Sequence, residues 1–316
     1  METTCPYCSC GCTIRLEVKE RQIVRSSPGD GAGINNGTLC VKGSQGYDFV
    51  HSSERISHPL VKTDEGLQEV SWETALDRAA KELGRVVNQY GPASIAVLGS
   101  PVCTNEDNYT LQRFARCVLG TNNIDNSGRL HNTDYENVPL TRQKSPSLDE
   151  LEQSEVILVI GADPSSSSPI LEYAIKRAVR FRGAKLILVD PRQIELAPFA
   201  QTWLRPQVGS DAALLHSMAA VIVAEGLLDE EFTGQRTEGF KKYAQGISVY
   251  APEDTETITG ISAQSVQTTA RLFARASKAS IVYGAGITRY SSKTSAVEAI
   301  SNLVLLTGNM THSRPR

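Results

Sequence analysis

Four cysteines crowd into eight residues near the start of the chain, in the segment Cys5-Pro-Tyr-Cys8-Ser-Cys10-Gly-Cys12, and Cys40 follows after 27 more residues. Two residues separate Cys5 from Cys8 and three separate Cys8 from Cys12. Thiolates at this spacing can reach three corners of one iron–sulfur cubane as the backbone wraps it, with the fourth ligand arriving from a distant part of the chain. Pro6 and Gly11 suit the tight turns such a wrap needs. Zinc is the competing ligand, but a four-cysteine zinc ribbon closes with a second C-x2-C pair, and Cys40 stands alone. Plain buried thiols are the third reading. That reading accommodates the isolated Cys103 and Cys117, but not the crowding at the start of the chain. The spacing therefore predicts a [4Fe–4S] cluster on Cys5, Cys8, Cys12 and Cys40. Cys10 is a fifth thiol able to replace one of them.

Clustered cysteines of this kind point to metal rather than disulfides in a reducing compartment. The net charge of −3 gives no reason to expect nucleic acid or an anionic membrane as partner. No apolar run approaches the roughly 18–20 residues that would span a bilayer. The opening residues Met1-Glu-Thr-Thr lack the basic and apolar stretches of a leader, so a cytoplasmic location is expected.

Beyond the cysteines the chain alternates helix and strand signals. Residues 14–18 and 22–24 alternate as a hairpin does. Gly29, Gly31 and Gly33 are read as turns, because no helix follows them. Ser71 caps a helix running to about Tyr90, with Gly91 past its end. Residues 95–98 form a short strand, and Thr104 with Asp107 opens a helix to about Leu119. Residues 120–153 are polar and irregular. Val156–Ile160, a helix over 169–182 and Lys185–Asp190 make a β-α-β unit whose strands are apolar on both faces, as a buried parallel sheet requires. Helices over 211–225, 263–276 and 293–306 and a strand over 280–283 continue the pattern. The architecture expected is α/β: a small β-rich cluster domain (1–56) followed by doubly wound, Rossmann-like α/β domains. These are a first part over 57–135, a second domain over 136–290, and a helix over 291–316 returning to the 57–135 part.

Asp190 closes the second strand of the β-α-β unit, where a carboxylate can accept hydrogen bonds from a ribose or a guanine edge. Gly161 and the helix start beyond it can accommodate phosphate. No G-x-G-x-x-G follows the first strand, so a standard NAD site is not expected.

The segments Cys5-Pro-Tyr-Cys8, Cys40-Val-Lys42-Gly43, Gly46-Tyr-Asp-Phe-Val-His-Ser52 and His58-Pro-Leu60 together resemble the N-terminal cluster domain of molybdopterin oxidoreductases. Cytoplasmic formate dehydrogenase catalytic subunits and the large iron–sulfur subunit of complex I are the members most similar. The resemblance implies that Lys42 lies between the cluster and a pterin and serves the electron path. Gly161-Ala-Asp163-Pro164 resembles the family's G-[SA]-N-P turn, with Asp163 where asparagine is usual. Val189-Asp190-Pro191-Arg192, Gly209-Ser210-Asp211 and Tyr283-Gly-Ala-Gly-Ile-Thr288 resemble other cofactor-facing segments. The implied pterin-guanosine pocket thus comprises Lys42, Gly161, Asp163, Asp190, Arg192 and Asp211.

Three departures from the family pattern bear on activity. Thr121-Asn-Asn123 is followed by Gly128-Arg129-Leu130-His131, without the cysteine or selenocysteine that ligates molybdenum in formate dehydrogenases. The segment after His131 is short. The resemblance covers nearly all of this chain but only about the first half of the family protein. A molybdenum centre needs an enclosed, supported site; a cluster needs four thiolates and local shielding. The expectation is an electron-transfer subunit of a multi-subunit redox complex, with flavin- and iron–sulfur-containing partners, one [4Fe–4S] cluster and no catalytic molybdenum; molybdopterin guanine dinucleotide stays open as a second cofactor, implied by the resemblance. The alternatives are a divergent formate dehydrogenase-type molybdenum or tungsten oxidoreductase completed by another chain, and a structural subunit stapled by its cluster.

Overall fold

The computed structural model describes residues 1–8, 10–29, 33–127, 146–289 and 293–309, in two units divided after Leu130. In the first unit, β1 (Glu2–Thr4), β2 (Thr13–Lys19) and β3 (Gln22–Pro28) form an antiparallel sheet in sequence order. Glu20 and Arg21 make the two-residue β2–β3 turn with positive φ, the conformation that fits the twist of a tight hairpin. The register shifts at Glu17 and Val18. The β1–β2 connection is the cysteine-rich loop, and the chain beyond β3 returns through Cys40 into the Val41–Gln45 helix. A second hairpin follows, β4 (Leu60–Thr63) and β5 (Gly66–Glu69).

The Trp72–Tyr90 helix begins where the sequence places it. Ser71 accepts a hydrogen bond from the Thr74 amide at 3.2 Å. Trp72, Leu76, Leu83 and Val87 recur at helical spacing, yet none is buried, and Trp72 and Leu76 are 67% and 61% exposed. The strand β6 (Val97–Gly99) pairs in parallel with β7 (Ile124–Asn126), inside a stretch read from sequence as irregular. Thr104 and Asp107 form a reciprocal capping box at the Asn105–Arg113 helix. This helix widens into π turns over Phe114–Leu119. Cys103 and Cys117, read as buried thiols, are both exposed.

The second unit is built on one four-stranded parallel sheet. Its strands are β8 (Val156–Ile160), β9 (Lys185–Val189), β10 (Thr202–Leu204) and β11 (Ala279–Tyr283), in the spatial order β10-β9-β8-β11. Strand alternation sends Val156, Leu158 and Ile160 into one apolar layer and Ile157 and Val159 into the other. The Pro169–Arg182 helix covers the second face through Ala174, Ile175 and Ala178. The Asp211–Ala224, Ala263–Ala274 and Lys293–Leu306 helices pack on the first, around Leu214, Met218, Phe273 and Ile300. Each fully buried Val, Leu or Ile side chain contributes roughly 1.5–3 kcal/mol of hydrophobic stabilisation, so both layers hold the central strands rigid.

The Lys293–Leu306 helix packs on Asp211–Ala224 in the core of the second unit. Its Val297, Ile300 and Leu303 form a continuous apolar stripe that this face of the sheet buries completely. Residues 128–145 and 310–316, including His131, lie outside the described residues.

Candidate functional site

In the cysteine loop, the Cys5 amide donates to the Cys12 carbonyl at 2.9 Å, drawing both ends of the loop together. Gly11 supplies the positive φ that the turn before Cys12 requires. The return segment is held by Asn35, only 2% exposed. Its Oδ1 accepts from the Thr13 amide at 3.0 Å, and its Nδ2 donates to the Thr38 carbonyl at 2.8 Å and the Thr13 carbonyl at 3.4 Å. This residue ties the start of β2, one residue from Cys12, to the turn that delivers Cys40. Cys40 stands at the N-terminal end of the Val41–Gln45 helix, and its carbonyl accepts from the Ser44 amide and hydroxyl. On the other side of the loop, the Tyr7 hydroxyl donates to the Gly46 carbonyl, and the Tyr7 ring meets Phe49 edge-on at 6.2 Å. A side chain at position 46 would collide with the Tyr7 ring.

These ties gather the thiols. Cys5, Cys12 and Cys40 are buried, and Cys8 and Cys10 are half-buried. A Cβ at position 43 would lie 3.8 Å from Cys5 Sγ, which places Cys5 against the helix that follows Cys40. Burial pushes the Cys12 thiol up to about 12, and the neighbouring Cys10, Cys5, Cys8 and Cys40 add to the shift. Burial also raises Cys5, aided by Cys40 and Cys8; the Lys42 charge opposes this. Five thiols within electrostatic reach of one another, mostly shielded from water, resist ionising on their own. Cationic iron removes that resistance by supplying the positive charge that buried thiolates lack. Among the described residues, no three His, Cys, Asp or Glu side chains converge tightly enough for a single metal ion. The donor set suits a cubane, which holds its thiolates apart at separate irons. Sequence reasoning missed Asn35 and Tyr7. The Asn35-Asn36-Gly37 turn signal was available to find the first.

The second site follows from the sheet order. The chain runs from β8 to β9 to β10 on one side and then crosses to β11 on the other, so the winding reverses between β8 and β11. In open α/β sheets the crevice at the carboxyl ends beside such a reversal is where ligands bind. Here two glycine loops meet. The Gly286 amide donates to the Gly161 carbonyl at 2.8 Å, and a Cβ at position 286 would lie 2.7 Å from Gly161 Cα. The loops approach backbone to backbone and leave the edge open.

Four charged residues singled out in the sequence come together along this edge. Asp190, 2% exposed, holds Arg192 through two side-chain hydrogen bonds, at 3.1 and 3.0 Å, and accepts the Arg192 amide at 2.9 Å. Its carbonyl accepts the Trp203 indole N–H at 2.9 Å. Burial pushes Asp163 up. The Ser165 and Ser166 hydroxyls and the Arg192 charge outweigh that and hold its carboxyl below the usual range. Burial raises Asp211, the first residue of its helix; its own backbone amide opposes the shift and the Asp190 charge adds to it. The Asp190 and Asp163 carboxylates are engaged within the chain. Burial leaves the Asp211 carboxyl poorly hydrated, an acceptor that donors from a ribose or a guanine edge would compensate.

Comparison with known proteins matches these features to one family. Residues 1–52 match the molybdopterin oxidoreductase Fe4S4 domain and residues 55–314 match the molybdopterin oxidoreductase model. Formate dehydrogenase H of Escherichia coli (strain K12) is 38% identical over 98% of this chain and 44% of its own length. The F420-dependent formate dehydrogenase subunit alpha of Methanocaldococcus jannaschii is 36% identical over 98% of this chain and 46% of its own. The solved acetylene hydratase from Pelobacter acetylenicus superposes with a TM-score of 0.81 at 26% identity, over 99% of this chain and 44% of that one. The chain thus spans about half the length of the relatives it matches. With a [4Fe–4S]-type domain followed by a doubly wound α/β unit, it belongs to the molybdopterin oxidoreductase family.

Proposed function

We propose that this chain is an electron-transfer subunit of a multi-subunit redox assembly, with Cys5, Cys8, Cys12 and Cys40 holding a [4Fe–4S] cluster that supplies one-electron chemistry when bound. The observation that carries the reading is the shielded nest of thiols tied together by Asn35 and Tyr7. The chain's own residues exclude water from Cys5, Cys12 and Cys40 and fix their backbone against reorganisation as charge changes. Lys42, exposed on the helix after Cys40, adds a positive charge on the Cys5 side. The carboxyl-edge residues Gly161, Asp163, Asp190, Arg192 and Asp211 are a guanosine-type pocket in this reading, inherited with the fold rather than used for catalysis.

A second reading is favoured by the exposed apolar face of the Trp72–Tyr90 helix and the short parallel β6–β7 pair, features of a layer that expects a cover. In it, another polypeptide completes a formate dehydrogenase-type oxidoreductase. Metal analysis of the native assembly, purified without oxygen, separates the two. Iron without molybdenum or tungsten supports the electron-transfer subunit. Stoichiometric molybdenum or tungsten not held by another subunit overturns it in favour of the enzyme.

A further inference from the structure

A cavity of about 760 Å³ in the second unit lies at the opposite end of the sheet from the carboxyl-edge pocket, at the amino-terminal ends of β8 and β9. Its floor is apolar, formed by Val156, Leu272 and Ala276, and its rim carries Arg182, Lys185, Arg271 and Arg275. The neighbouring acids leave much of this positive charge available. Arg271 is engaged by Glu225 at 2.8 and 2.7 Å. Glu152 is gripped by Arg177, so Arg182 touches it only at 4.0 Å. The Lys185 and Arg275 side chains make no hydrogen bond or ion pair among the described residues, and Glu225, bound to Arg271, lies within electrostatic reach of Arg275. Among the described residues lining it, Glu155 is the single acid, and its carboxylate is held by the Ser277 amide and hydroxyl at 3.0 and 2.6 Å, beside Lys278.

Two helices end here, Pro169–Arg182 and Ala263–Ala274, and part of the positive charge serves their negative ends. Arg182 and Arg271 stand in the last turns and meet that need. Lys185 opens a strand and Arg275 lies just past its helix, so their charge faces the cavity beyond what the helix ends require. On a chain whose net charge is −3, a concave cationic site over an apolar floor is a distinct local feature. Concavity of this volume suits a small molecule better than the flat surface of a protein partner.

We infer that this groove binds a small organic anion bearing phosphate groups, of nucleotide size, with the phosphates on Lys185, Arg275 and Arg182 and the apolar body on Val156, Leu272 and Ala276. The test is calorimetric titration of the full chain with ADP, pyrophosphate and adenosine. ADP is expected to bind more tightly than pyrophosphate, which lacks the apolar body, and adenosine is expected not to bind measurably. Lys185→Ala and Arg275→Ala each weaken ADP binding by about tenfold or more, the loss of one charge-assisted contact. Glu155→Gln strengthens it, and raising the ionic strength weakens it. All three positions are exposed, so circular dichroism and thermal melting should match those of the unaltered chain. The inference is overturned if neither phosphate compound binds. It is equally overturned if ADP binding survives Lys185→Ala and Arg275→Ala but is lost in Arg192→Ala, which would place the ligand at the carboxyl edge.

Discussion

The amide of Cys5 donates to the carbonyl of Cys12 at 2.9 Å, so the cysteine-rich loop is closed by its own backbone before any metal is considered. The loop leaves β1 and re-enters the sheet at β2, where Thr4 pairs with Thr13. Cys5 and Cys12 are therefore anchored at adjacent points on a sheet, and only Cys8 and Cys10 ride on the tip. Preorganisation of this kind lowers the cost of assembling four thiolates around a cluster.

Asn35 carries the link between this loop and Cys40. Replacing it with alanine removes three hydrogen bonds and leaves the half-buried Thr13 amide without its side-chain acceptor. The expected loss is roughly 1–3 kcal/mol in the folding of the first unit. Iron retained after purification without oxygen should fall with it, measured as iron per chain. Asn35→Asp, which keeps the acceptor for the Thr13 amide but loses both donated bonds, should fall between the two.

Tyr7 tests the other side of the loop. Tyr7→Phe removes the hydroxyl that donates to Gly46 while leaving the ring against Phe49. Loss of one exposed hydrogen bond costs about 0.5–1.5 kcal/mol, and iron content should be nearly unchanged. Gly46→Val forces the Tyr7 ring out, and iron content should drop sharply.

At the carboxyl edge, the meeting of the glycine loops sets a steric limit. Gly286→Ala places a methyl against the Gly161 backbone, which cannot yield without moving the ends of β8 and β11. Overpacking of this kind costs about 1–3 kcal/mol, read as a lower midpoint in urea. The same substitution at Gly246, where a Cβ meets open space, should be neutral or stabilising.

Asp211 gives a pH-dependent prediction. Its folded pKa is raised by burial, against its own backbone amide and with help from the Asp190 charge. Below the unfolded value both states are protonated and the group costs nothing. As pH rises from the unfolded value to the folded value the cost builds, and above the folded value it is fully present. Asp211→Asn should therefore stabilise the unliganded chain at neutral pH, with the gain over the unaltered chain disappearing below the ordinary carboxylate range. Equal melting temperatures for the two proteins at every pH would contradict this.

Much of this was legible in the residues because local rules acted there without competition. Ser71 and the Thr104–Asp107 pair cap the helices they announce. The apolar runs of β8 and β9 become central strands, because only a sheet covered on both faces can bury them. The [4Fe–4S] domain and the molybdopterin fold followed from the cysteine spacing and the segments around it. The misses have physical reasons. Thr202–Leu204 is too short to show a period and gains its strand form from pairing with β9. The Glu230–Arg236, Phe240–Ile247 and Pro252–Thr259 helices are each about two turns long and depend on packing beneath Asp211–Ala224 and Lys293–Leu306. The Leu148–Glu152 helix did carry a signal, the Ser147–Glu150 capping box, inside a stretch read as irregular. The convergence of Asp163, Asp190, Arg192 and Asp211 depends on strand order, which no local pattern reports.

The central claim is that Cys5, Cys8, Cys12 and Cys40 together hold one redox-active cubane. Its most direct test is iron and acid-labile sulfide analysis of the anaerobically purified chain, paired with electron paramagnetic resonance after dithionite reduction. The measurement is repeated for serine at each of the five clustered positions. The account predicts about four irons and four sulfides per chain and a reducible signal. Serine at 5, 8, 12 or 40 should abolish both, while Cys10→Ser leaves them intact. Zinc in place of iron, or a signal that survives Cys40→Ser and vanishes in Cys10→Ser, would contradict it.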